Sequence, residues 1–178
     1  MDEPAAPRTT VESALLIPVP EATPALRRHR LWLDPGAAAG VPEHITLISP
    51  FVPPGRLDGG LRARLAAFFA GIPPFRFELR EIRWFGDDVM WLAPEPVAPF
   101  VELTRRLVAE FGFPPYEGAF AEVTPHLSVA RGNAEGGRRI APEVAGRLPI
   151  TALADRAQLL VGAEATGLRL LEEYPLGG

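Results

Sequence analysis

At 178 residues, with 47% apolar side chains and a mean hydropathy of +0.09, the chain is long enough to bury a core and too apolar for wholesale disorder. The absence of cysteine excludes disulfides, thiolate metal sites and a cysteine nucleophile. A net charge of −4 argues against a broad basic surface that coats long nucleic acid, but not against a small anionic substrate. All 18 basic residues are arginine, the side chain suited to forked phosphate contacts, although genomic base composition accounts for this bias together with the 17 glycines and 21 prolines.

The first ten residues lack the basic start and apolar core of a signal peptide, and no 18-residue apolar run follows, so a cytoplasmic protein without membrane contact is expected. Residues 1–8 read as a flexible tail. Val11 to Val19 reads as an apolar strand closed by Pro18 and Pro20, and Pro24 to Trp32 as a helix with proline in its first turn. Asp34-Pro35-Gly36 and Gly40-Val41-Pro42 mark the loop into His44. His44 to Ser49 alternates as a strand, with His44, Thr46 and Ile48 on one face. Leu57, Leu61, Leu65 and Phe68 then fall at helical spacing, ending near Gly71.

Phe75 to Phe85 and Val89 to Ala93, joined by Gly86-Asp87-Asp88, predict a hairpin. Val97 to Phe111 carries Phe100, Leu103, Leu107 and Phe111 on one helical face, stopped by Gly112. A proline- and glycine-rich loop, Pro114 to Gly118, leads to the second histidine strand, Pro125 to Arg131, which glycines 132, 136 and 137 are expected to break. A short helix closing over Val144 to Leu148, then a strand pair over Ala152 to Val161 and Thr166 to Leu171, complete the reading. The two halves share an element order, which suggests an internal duplication.

Only three histidines occur, His29, His44 and His126. Serine and threonine fill 11 of 178 positions, so a hydroxyl two residues after a given histidine arises by chance about 6% of the time. Two of the three histidines have one, Thr46 and Ser128, and both motifs run His, apolar, hydroxyl, apolar close behind a proline. In a strand this pattern puts imidazole and hydroxyl on one face, about 6.6 to 6.8 Å apart along the chain, within reach of one phosphate. Imidazole can give or take protons near neutral pH, so two of them flanking a phosphorus suit base and acid roles, with the hydroxyls as donors to nonbridging oxygens. A single histidine at a strand start is more often a partly buried structural residue; it is the pairing that favours chemistry. A zinc site needs more ligands than two histidines supply, which makes a zinc hydrolase the weaker alternative. His29, within Arg27-Arg28-His29-Arg30, reads as part of a solvated helical face.

The tetrapeptides His44-Ile45-Thr46-Leu47 and His126-Leu127-Ser128-Val129, 82 residues apart, resemble the paired His-x-Thr/Ser-x motifs of the 2H phosphoesterase superfamily. The surrounding stretches resemble its bacterial 2′-5′ RNA ligase-like branch over almost the whole chain. These include Pro50-Phe51, Trp91-Leu92-Ala93-Pro94-Glu95-Pro96, Pro125, Arg131 and Tyr174-Pro175-Leu176. The resemblance implies one bilobal α+β domain over residues 1–178, with two pseudo-symmetric lobes, antiparallel sheets around a central cleft and helices outside. It implies metal-independent, cofactor-free chemistry on 2′,3′-cyclic phosphates or 2′-5′ linkages of nucleotides or short RNA, in the hydrolase or the ligase direction.

Carried over by position, His44 and His126 would be the catalytic acid/base pair, and Thr46, Ser128 and Arg131 the phosphate contacts. Arg131 reads equally well as a strand-end surface arginine. The charge of −4 departs from an enzyme gripping tRNA halves and points to a short or mononucleotide substrate; a monomer is expected. Phe51 and Tyr116 are the candidate base-stacking residues, with Phe120 and Trp84 as further aromatics, although large aromatics more often fill cores. A nucleotide- or RNA-binding protein that kept the cleft without catalysis is the alternative from another class.

Overall fold

In the computed structural model, which describes residues 10–119, 122–163 and 165–178, the described residues form eight strands and five α-helices. Strand β1 (Glu12–Pro18) leads through helix α1 (Thr23–Leu33) and the one-turn α2 (Pro35–Ala38) into the first motif strand, β2 (His44–Ile48). Helix α3 (Gly59–Ala70) follows; the Asp58 side chain accepts a hydrogen bond from Leu61 N at 2.8 Å and caps it. The hairpin β3 (Phe75–Phe85) and β4 (Val89–Glu95) leads through α4 (Ala98–Phe111) into the second motif strand, β5 (Leu127–Arg131). Gly112 ends α4 with φ +79°, a left-handed cap that a residue without Cβ adopts without strain. Helix α5 (Ala134–Ala145) and strands β6 (Ile150–Ala154), β7 (Arg156–Ala163) and β8 (Gly167–Pro175) close the chain.

Two four-stranded antiparallel sheets result, in the orders β2-β1-β7-β8 and β5-β4-β3-β6. The segments β1–α1–β2–α3 and β4–α4–β5–α5 repeat the same succession, and in each sheet the motif strand occupies an edge beside the strand that precedes it. The helices are exchanged: α1 packs against β5 and α4 against β2. The two motif edges therefore lie next to one another. The fold is the bilobal, pseudo-symmetric α+β arrangement that the motifs imply. One continuous apolar core runs through both sheets, from Leu15, Ile17, Ile45 and Leu47 to Leu79, Leu92, Leu127 and Val129.

Two expectations change. The apolar run Ala152 to Val161 is not one strand: it divides at Asp155, with β6 joining β3 in one sheet and β7 joining β1 in the other. Alternation specifies which residues face inward but not which sheet a strand extends. Nor do glycines 136 and 137 break the chain. They lie buried in the first turn of α5, where Asn133 accepts from Gly136 N at 2.8 Å. A Cβ on Gly137 would meet Trp84 Cη2 at 2.8 Å, so the glycine is there for close packing rather than for a turn. The tail 1–8 and Phe120 lie outside the described residues. Among the described residues no helix is long and apolar enough to cross a membrane.

Candidate active site

Alternation along β2 buries Ile45 and Leu47 and leaves His44 and Thr46 half-buried; along β5 it buries Leu127 and Val129 and leaves Ser128 half-buried, and Arg131, past a register shift in the β4–β5 pairing, is half-buried at the strand end. His126 immediately precedes the first residue of β5. All five polar side chains line a single cleft of about 600 Å³, together with Asp34, Phe85, Tyr116 and Leu160. That volume suits a small organic ligand. The structure thus brings His44, Thr46, His126, Ser128 and Arg131 together from positions up to 87 residues apart, 44 to 131.

Each imidazole is fixed in the same way. His44 Nδ1 lies 2.7 Å from Pro42 O, and His126 Nδ1 lies 2.7 Å from Thr124 O, in both cases the carbonyl two residues back. A carbonyl only accepts, so Nδ1 must be the protonated nitrogen, which leaves Nε2 as the basic position of the neutral ring. Burial and the Arg30 cation push His44 down to about 4; the Pro42 carbonyl and Asp34 oppose the shift without reversing it, and the charge of His126 adds to it. His126 is also lowered, chiefly by burial, partly countered by Thr124 O and reinforced by Arg131. The ring of His126 stands edge-on to Phe85 at 4.9 Å and near Trp91 at 5.7 Å, and Phe85 and Trp91 stack at 4.6 Å.

A buried ion cluster underlies the cleft. Arg30, 0% exposed, donates from Nη2 to Asp34 Oδ2 (2.7 Å), from Nη1 to Glu43 Oε1 (3.2 Å) and from Nε to Ser128 O (3.0 Å). Asp34 Oδ1 also accepts from Arg131 Nε and from Gly36 N, each at 3.0 Å. Burial alone would raise the Asp34 carboxyl, but Arg30 and Arg131 outweigh it and hold it below its ordinary value. Arg30 is thus not part of a solvated face. Its place was readable, since Leu26, Arg30 and Leu33 recur at helical spacing on the apolar side of α1. His29 is not solvated either: its side chain is 11% exposed and faces α5, with Nε2 3.4 Å from Glu143.

The aromatic candidates separate. Phe51 is a core residue, 3% exposed, with its ring edge-on to Phe111 and Phe113 at 6.0 and 5.5 Å, so it offers no face to a base. Phenylalanine is among the residues most often fully buried, and here Phe111 and Phe113 enclose the Phe51 ring. Tyr116 lines the cleft, its phenol pushed up by burial, on a loop where Tyr116 and Glu117 both take positive φ. Trp84 sits elsewhere, over Gly137 and beneath Arg138. Phe85, absent from the sequence-based candidates, lines the cleft and is 38% exposed. Among the described residues no three His, Asp or Glu side chains converge as a metal site.

The architecture matches solved structures over nearly its full length. Escherichia coli LigT complexed with 3′-AMP aligns at a TM-score of 0.58 with 15% identity, covering 94% of this chain and 99% of that one. The NADP+ complex of the same protein aligns at 0.56 with 17% identity, covering 98% and 100%. A Thermus thermophilus protein aligns at 0.60 with 20% identity, covering 93% and 98%. No curated protein matches the sequence. The model of the 2′-5′ RNA ligase superfamily matches residues 18–166, which include both histidine motifs, and the chain belongs to that superfamily.

Proposed function

We propose that the protein is a metal-independent phosphodiesterase that opens 2′,3′-cyclic phosphates, or cleaves 2′-5′ linkages, of nucleotides or short RNA. The observation that carries this reading is the matched pair of imidazoles, each locked through Nδ1 to its own chain and each lining the one cleft. In the forward reaction a water oxygen forms a bond to phosphorus as its proton passes to Nε2 of His44. The bond from phosphorus to the ribose oxygen breaks as His126 gives that oxygen a proton. Atoms balance to a ring-opened phosphomonoester from a cyclic phosphate, or to a phosphomonoester and a freed ribose hydroxyl from a 2′-5′ linkage, and a further proton exchange with solvent resets both rings.

His44 is the base in this assignment because burial and the buried Arg30 cation keep its ring neutral. An anionic phosphate in the cleft favours the charged form of His126, as an acid requires. Thr46, Ser128 and Arg131 supply donors to the nonbridging oxygens as charge develops. Phe85 and Tyr116 offer aromatic surface for a base. Because LigT has been solved with 3′-AMP, NADP+ and ATP, a nucleotide is the fitting first ligand to try.

The test is turnover of adenosine 2′,3′-cyclic phosphate in EDTA, with the product identified as 2′- or 3′-phosphate. Hydrolysis that survives the chelator and disappears in both His44→Ala and His126→Ala supports the reading. A folded wild type inert toward cyclic and 2′-5′ substrates refutes it.

A further inference from the structure

We propose that Asp34 is a positioning residue that sets the orientation of the phosphate contact Arg131, and that Arg30 ties the same anchor to the strand carrying Ser128. The proposal rests on the reading of the cleft given above. Asp34 is 3% exposed at the end of α1 and uses both oxygens: Oδ2 receives Arg30, and Oδ1 receives Gly36 N and Arg131 Nε. Arg131 itself lines the cleft with a side chain 40% exposed. Its guanidinium is therefore gripped at Nε by a buried carboxylate on a residue that lines the cleft.

Arg30 extends the grip to both motifs. Through Nη1 it holds Glu43, the residue before His44, whose Oε2 also accepts from Thr23 Oγ1 at 2.6 Å. Through Nε it holds the carbonyl of Ser128. Taking such charges out of water is costly, and a well-packed apolar cluster of the same volume generally stabilises a protein as well or better. Packing does not require the ions here. On the pseudo-symmetric side, α4 meets β2 through a neutral contact, Thr104 Oγ1 to Leu47 O at 3.5 Å. The charged version occurs only where an arginine of the second motif strand must be aimed. Each buried carboxylate has cationic partners, Asp34 with Arg30 and Arg131 and Glu43 with Arg30 and, at 3.8 Å, Arg27, so the two can sit buried while offering fixed directions.

The experiment reads the affinity of adenosine 2′-monophosphate by calorimetry for wild type, Asp34→Asn, Arg131→Ala and the double variant, with thermal melting of each. The expected result is a loss of roughly tenfold in each single variant and no further loss in the double, since Asp34 acts through Arg131. Losses that multiply in the double overturn the proposal, as does a wild type that binds no phosphomonoester. Should Asp34→Asn fail to fold, Arg131→Lys decides the matter on an exposed side chain. Lysine keeps the charge but lacks Nε, so affinity close to that of Arg131→Ala supports positioning and wild-type affinity overturns it. Binding is read without turnover. An inert wild type with non-additive variants therefore refutes the proposed function alone, and an active wild type with multiplying losses refutes the positioning alone.

Discussion

Folding stability should depend on pH through His44 between its ordinary value and the lower one it takes in the fold, a window it shares with His126. The His44 imidazole moves from an ordinary 6.5 to about 4 on folding, because burial and Arg30 penalise the cation. The unfolded chain therefore takes up a proton near pH 6.5 that the folded protein refuses until about pH 4. The stabilisation is complete above the unfolded value and is lost as pH falls through the window. At about 1.36 kcal/mol per unit the displacement is worth about 3 kcal/mol. Asp34 has the same sign but a lower window, since its depressed carboxylate stabilises above the ordinary 3.8 and that contribution fades only at more acid pH. Urea unfolding at steps between pH 7 and pH 4 measures the loss, and the imidazole proton resonances follow the ring directly. In His44→Gln the same series should fall by about 3 kcal/mol less, the remainder belonging to His126 and other groups. A His44 resonance titrating near 6.5, or identical pH dependence in the two proteins, would sink the reasoning and with it the choice of His44 as the base.

Replacing His126 with alanine should lower turnover of a cyclic phosphate by roughly 10² to 10⁴ with the circular dichroism spectrum unchanged; a smaller loss would place the acid elsewhere. Phe51→Ala should cost roughly 3 to 5 kcal/mol of stability, because its ring is enclosed by Phe111 and Phe113. Phe85→Ala should instead raise KM for a nucleotide with a smaller change in melting temperature, since Phe85 is 38% exposed in the cleft; the reverse ranking in the two assays would restore Phe51 as the stacking surface. Gly137→Ala should destabilise by about 1 to 3 kcal/mol through contact with Trp84, as denaturant titration would show, and a neutral result would mean that the indole yields freely.

Much of the fold was legible because short-range rules decide it. The helical spacing of Phe100, Leu103 and Leu107 and the stop at Gly112 reappear as α4, and the turn Gly86-Asp87-Asp88 reappears between β3 and β4. Those signals are local periodicities and conformational preferences of single residues, which survive whatever the chain packs against. The misreadings arose where a residue answers to a distant neighbour. Gly136 and Gly137 look like breakers until Leu33 and Trp84 are seen against them. Arg30 is the exception, since its spacing with Leu26 and Leu33 already put it on the apolar side of α1; what the sequence could not supply was its set of partners, Asp34, Glu43 and the Ser128 carbonyl.

The candidate site divides in the same way. Sequence alone determined which side chains are candidates for the chemistry, because alternation puts each histidine and its hydroxyl on one face of a strand, and it determined that there are two such faces. Only the tertiary structure decided that the faces meet. The two motif strands are edges of different sheets, brought side by side because α1 packs against β5 and α4 against β2. It also decided the electrostatic setting, namely which cation depresses His44 and which carboxylate grips Arg131. Hydrogen bonds and charges act through space over a few ångströms, and proximity across 82 to 97 positions of chain is a property of the packed molecule, with no trace in local spacing.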